Sequence, residues 1–84
     1  MYIVYVLYSV QFDKIYVGFT NNPENRFKSH NEPGTKGWTI KFRPWTILHT
    51  ETFNDKSSAM KRERQLKSAG GRAFIRELLQ QRSQ

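Results

Sequence analysis

Glu63 is the residue whose surroundings most limit its chemistry. Ala59 and Met60 precede it by four and three positions and Leu66 follows by three. On a helix, these spacings put the carboxylate on the face that meets the core. Lys61, Arg62, Arg64 and Lys67 mostly occupy the other faces. A carboxylate at the edge of an apolar face is costly unless it is paired or binds a metal. Glu63 is therefore either a buried acid bridged to an arginine or a metal ligand or general acid/base. Arg26 and His30 are four apart and share a helix stripe beside Phe27. They could be a solvated arginine and a helix-terminal imidazole in the field of the dipole. A scissile phosphate would use the same pair, with guanidinium neutralising charge and imidazole positioning the attacking water.

Four tyrosines fall within the first 16 residues. Tyr5 and Tyr16 sit centrally in two successive strand-like runs, so their hydroxyls can meet only if their faces agree. Gly18 follows Tyr16 by two and shares its face, which is expected to leave the sheet open above that point. Aromatic strand packing is one reading of these rings and a stacking platform for nucleic acid is the other.

The elements that must hold these residues follow from periodicity. Residues 2–8 read as a strand buried on both faces, with Ile3, Tyr5 and Leu7 on one and Tyr2, Val4, Val6 and Tyr8 on the other. Residues 14–19 form a second strand, and the short loop at 9–13 predicts an antiparallel hairpin. Asn22-Pro23-Glu24 starts a helix that runs to about His30. Residues 31–39 form a loop with Pro33, Gly34 and Gly37 as breakers. A third strand follows at 45–52, with Trp45, Ile47 and His49 expected on one face. A helix begins after Asp55, ends near Ser68 and is broken by Gly70-Gly71. A last helix carries Phe74, Ile75, Leu78 and Leu79 as one apolar stripe. The order β-β-α-β-α-α predicts an α+β fold, a small three-stranded antiparallel sheet flanked by helices.

The chain has 84 residues, with 14 Lys plus Arg against 7 Asp plus Glu, a net charge of +7. One compact core is feasible at this length and two are not. The expected domain is residues 1–84, with a core of about 2–79 and a fraying C-terminus. There are no cysteines, which excludes disulfide scaffolds, Cys-ligated zinc, iron–sulfur clusters and thiol nucleophiles. No apolar run approaches the ~20 residues of a membrane span, and no leader pattern is visible. The expectation is a cytoplasmic protein. The charge excess favours a polyanionic partner, most often nucleic acid, over a membrane surface.

Ile3-Val4-Tyr5, a spacer, Tyr16-Val17-Gly18, then Thr20-Asn21-Asn22 and Arg26-Phe27-Lys28-Ser29-His30 resemble the GIY-YIG nuclease superfamily. The stretch from Ala59-Met60-Lys61-Arg62-Glu63 on to Lys67 resembles its acidic helix. The likeness is closest to the short single-domain members related to the N-terminal cleavage domain of bacterial excinuclease C. Gly34-Thr35-Lys36-Gly37-Trp38-Thr39 and Arg43-Pro44-Trp45 share it. The resemblance covers about residues 2–79. Ile3 stands where the first triplet of the family begins with Gly, and the C-terminal helix lacks a late asparagine that many longer members carry.

The resemblance implies one divalent ion, Mg²⁺ or Mn²⁺, and hydrolysis of a DNA phosphodiester. Carried over residue by residue, Tyr16 is the general base and Tyr5 helps to orient the attacking water. Arg26 stabilises developing negative charge, His30 positions water or relays a proton, and Glu63 holds the metal. A phenol gives up its proton near pH 10 in water, so a basic role needs positive charge close by. A single carboxylate leaves most metal positions to water and phosphate, as Mg²⁺ usually prefers. Lys28, Lys36, Arg62 and Lys67 are the candidate nucleic-acid contacts.

The leading expectation is a metal-dependent DNA endonuclease of low sequence specificity, in repair or removal of branched structures. It uses no nucleotide cofactor and works as a monomer or weak oligomer. Affinity from phosphates should then depend strongly on salt. The alternative is a non-catalytic module that holds nucleic acid on the same basic face. A third reading is an adaptor whose polar residues form an internal network. Glu63 favours the first, because its charge repels phosphate unless a cation intervenes.

Overall fold

The computed structural model describes residues 1–22 and 42–82. Three strands, β1 (Tyr2–Ser9), β2 (Lys14–Thr20) and β3 (Thr46–Phe53), form one antiparallel sheet in the order β2-β1-β3. Helices α1 (Lys56–Lys67) and α2 (Ala69–Arg82) follow. The α+β architecture is the one expected, and the strand bounds move by only a residue. The expected helix at 22–30 and loop at 31–39 lie outside the described residues, apart from Asn22.

β1 is central because its unbroken apolar run has two faces to cover. Val4 and Val6 face the helices and pack with Val17, Ala59, Leu66 and Ile75. Tyr5 and Leu7 face the other way and pack with Trp45, Tyr16 and Phe42. Residues 10–13 close the hairpin to β2. Asp13 takes a φ of 53° there, a left-handed conformation that a short polar side chain tolerates. The Tyr8 hydroxyl donates to Asp13 Oδ1 at 2.8 Å.

β3 does not alternate as simply as its sequence suggests. Val6 pairs with His49, but Leu7 pairs with Ile47. Leu48 is therefore an extra residue, a β-bulge. The bulge sends Ile47 and His49 to opposite faces, which corrects the expectation that they share one. Leu48 and His49 both turn toward the helices, where the His49 ring meets Phe74 edge-on at 5.3 Å.

α1 is capped by Asp55, which accepts the Ser58 backbone N–H and the Ser58 hydroxyl, both at 2.9 Å. Its last turn holds Arg64 and Lys67, the favourable sign for a helix C-terminus. The break between the helices falls at Ser68, whose hydroxyl donates to the Gln65 carbonyl. Gly70 and Gly71 are not the break, as expected from their type, but lie in the first turn of α2. Gly71 is there because the end of α1 leaves no room: a Cβ would strike the Gln65 carbonyl and the Leu66 backbone. Nothing lies within 4 Å of a Cβ built on Gly70.

One polar cluster ties β3 to the helices. The Arg62 Nε donates to Glu51 Oε1 at 2.9 Å and its Nη2 to Oε2 at 2.9 Å. His49 Nε2 lies 2.8 Å from the same carboxylate. The guanidinium also sits 5.6 Å from the centre of the Phe74 ring. Burial alone would raise the Glu51 carboxyl. The hydrogen bonds from Arg62 and His49, with the charge of both, outweigh it and hold the group below its ordinary 4.5. The Ser58 backbone N–H, then its hydroxyl, hold Asp55 below 3.8.

Two outcomes follow. Gly71→Ala should destabilise the fold by about 1–3 kcal/mol through overpacking, whereas Gly70→Ala should stabilise it by about 0.4–1 kcal/mol; urea unfolding measures both. Depressed carboxylates contribute stability that is present above their unfolded pKa and lost as pH falls through the folded value. Unfolding stability should therefore decline as pH drops below about 4.5, and less steeply in Glu51→Gln. An unchanged slope in that variant would remove Glu51 from the account.

Candidate functional site

The phenols form the best-defined part of the site. Tyr5 faces Gly18 across the ladder and Leu7 faces Tyr16, so the two tyrosines are diagonal neighbours on one face. Their rings stack with centroids 6.1 Å apart at 30°. Tyr5 is fully buried and Tyr16 half-buried. The space above Gly18, expected to be open, is filled by the Tyr5 phenol. A Cβ on Gly18 would lie 2.7 Å from Tyr5 Oη and 3.1 Å from Tyr16 Cε1. Glycine is what lets the Tyr5 hydroxyl lie flat on the neighbouring strand. Trp45 adds a third ring, 6.3 Å from Tyr16.

Glu63 lies between Ala59 and Leu66 on the sheet side of α1, and is half-buried as its spacing predicts. Its partner is neither an arginine nor a phenol: the Lys67 ammonium donates to Oε1 at 3.1 Å. α1 packs against the sheet face opposite Tyr5 and Tyr16. At the edge of β2 a cleft of about 420 Å³ is lined by Tyr16 from the sheet and Lys67 from α1, but by neither Glu63 nor Tyr5.

Of the five expected catalytic residues, the described structure brings together Tyr5 and Tyr16; Glu63 lies on the opposite face of the sheet and is not joined to them, although its partner Lys67 lines the cleft that Tyr16 reaches. Arg26 and His30 lie outside the described residues, as do Lys28 and Lys36. Arg62, expected at a nucleic-acid surface, is turned instead into the Glu51 cluster, where its charge is already met. Lys67 is exposed and at the cleft. Among the described residues, no three acidic, histidine or cysteine side chains cluster as a metal cage would require. No helix is long and apolar enough to cross a membrane among those residues.

The cleft also contains two cations that sequence pattern alone did not single out. Arg72 and Arg76 line it from α2. Their four-residue spacing was the available signal, since it puts both on one helix stripe.

The chain matches the GIY-YIG catalytic domain over residues 1–75. It belongs to the GIY-YIG family of nuclease domains. It is similar to a UPF0213 protein of Natronomonas pharaonis, with 40% identity over 65 residues, 77% of this chain and 75% of the relative. A UPF0213 protein of Staphylococcus haemolyticus is 36% identical over 56 residues, covering 67% of this chain and 68% of that one. A third, from Bacillus velezensis, is 36% identical over 55 residues; they make up 66% of this chain and 56% of that longer protein. No solved structure matches the chain.

The tight Tyr5–Gly18 contact gives a direct check. Gly18→Ala should cost about 1–3 kcal/mol of stability through overpacking and disturb the stacked phenols. Thermal melting and the near-ultraviolet circular dichroism of the tyrosines measure the two effects. An unperturbed aromatic signal would mean that the hydroxyl does not rest on this glycine.

Proposed function

We propose that this chain is a divalent-metal-dependent endonuclease that hydrolyses DNA phosphodiesters with low sequence specificity and acts in repair on structured or branched DNA. The reading is carried by the stacked Tyr5–Tyr16 pair, with Tyr16 at a cleft whose rim holds cationic side chains. Membership of a nuclease family and the net charge of +7 support it.

In this reading Tyr16 Oη takes the proton of the attacking water. Tyr5, fully buried beneath it, holds the Tyr16 ring in place rather than meeting substrate. Arg26 offers positive charge where the transition state gains negative charge, and His30 positions the water. Glu63 is the metal ligand. One half-buried carboxylate suits a hard cation that keeps most of its water, and its present partner is itself a cation. A bound Mg²⁺ or Mn²⁺ would supply Lewis-acid polarisation of the phosphoryl oxygen.

The second reading, a nucleic-acid-binding module without catalysis, is favoured by the same ion pair. Lys67 already neutralises Glu63, so the acid would not repel a phosphate strand even without a metal.

Branched, nicked and single-stranded DNA incubated with Mg²⁺ or Mn²⁺ separates the two. Cleavage should appear with metal and vanish with EDTA. Tyr16→Phe should lower turnover by about 10²–10⁴-fold with the melting temperature unchanged. Cleavage that survives Glu63→Ala and Arg26→Ala would contradict the assigned site. Salt-sensitive binding without cleavage under either metal would establish the module instead.

A further inference from the structure

We propose that Lys67, Arg72 and Arg76 form a phosphate-binding rail that leads one nucleic-acid strand past Tyr16 along the edge of β2. The proposal rests on the nucleic-acid reading above and adds where the strand lies. The break at Ser68 sets the end of α1 and the start of α2 around one cleft, so the last lysine of one helix and two arginines of the next share its wall. Arg72 and Arg76 are one helical turn apart, a rise of about 6 Å, comparable to the step between successive phosphates of a strand. Both are exposed, and among the described residues no carboxylate pairs with either.

The floor of the cleft is apolar, with Leu66 and Ile75 beneath the cations. Such a floor suits sugar and base edges while the guanidinium groups take the phosphate oxygens. No acidic side chain lines the cleft among the described residues, and Glu63, the partner of Lys67, has its charge met by that lysine. Charge alone would not single out this face, because Lys61 and Arg64 line a separate depression on α1 with Ser57 and Met60. No phenol lines that depression among the described residues, and Arg62 beside it is held by Glu51. The Lys67–Arg72–Arg76 face, by contrast, meets the edge strand β2 at Ile15, Tyr16 and Val17, the strand that carries the Tyr16 phenol on its other face.

The test compares two variants that remove the same charge: Arg72→Gln with Arg76→Gln, and Lys61→Gln with Arg64→Gln. Binding of a fluorescein-labelled single-stranded oligonucleotide in EDTA is followed by anisotropy over a range of salt. The α2 pair should raise Kd about tenfold and reduce the slope of log K against log salt by about 1.5. The α1 pair should change Kd less than about twofold. Arg72→Lys with Arg76→Lys should retain most of the binding. All four positions are exposed, and melting curves matched to the parent show that the fold is intact. Equal losses in the two charge-matched variants overturn the rail, and leave the nuclease reading standing if metal-dependent cleavage by the unaltered chain persists. Failure of the unaltered chain to bind in EDTA even at low salt also overturns the rail, whereas the nuclease reading stands or falls separately on metal-dependent cleavage by that chain.

Discussion

A strand with apolar side chains on both faces has to be covered twice, and β1 is such a strand. Helices cover the Val4–Val6 face and aromatic rings cover the Tyr5–Leu7 face. This double burial separates the molecule into a layer that supplies stability and a layer that carries phenols. Tyr5 is anchored because it belongs to the buried centre, and Tyr16 gains its orientation by stacking on it. The reactive-looking ring thus sits on the edge strand, next to solvent, while the ring that steadies it is sealed beneath.

Two carboxylates on the helix side show how context assigns roles. Glu51 receives Arg62 through several hydrogen bonds and His49 as well, an arrangement that fixes side chains and joins β3 to α1. Glu63 meets a single flexible, half-exposed lysine one turn along its own helix, a contact worth little in water. The first acid is held in place both from its own strand and from α1; the second can exchange its partner. The same sorting applies to the arginines, since Arg62 is engaged inside the fold while Arg72 and Arg76 face outward.

The strands were legible because β-branched and aromatic runs separated by turn residues leave few other options, and the faces of β1 follow from alternation alone. The family was legible from five short segments in order. Alternation failed in β3, because nothing in Thr46-Ile47-Leu48-His49 marks Leu48 as surplus; the bulge is set by pairing with β1. The Glu51–Arg62 pair depends on that same register, so spacing within either element could not reveal it. Glycine type suggested a helix break at residues 70–71. The constraint is instead close packing against the preceding helix, a tertiary fact. Helical spacing correctly puts Glu63 at the edge of a core-facing stripe, but its lysine partner and the opposed packing of α1 and the phenols required coordinates.

The bulge has a consequence for how this chain tolerates change in length. On either side of Leu48 the ladder resumes with Ile47 and His49 on alternate faces, as they would be if they were adjacent. β3 therefore contains one residue of slack, and loss of a residue at this point would leave the pairing of both flanks in phase. The same loss anywhere in β1 would exchange its valines for its tyrosines and invert the two layers. Drift in length is thus tolerable at one spot of an outer strand and ruinous in the middle one.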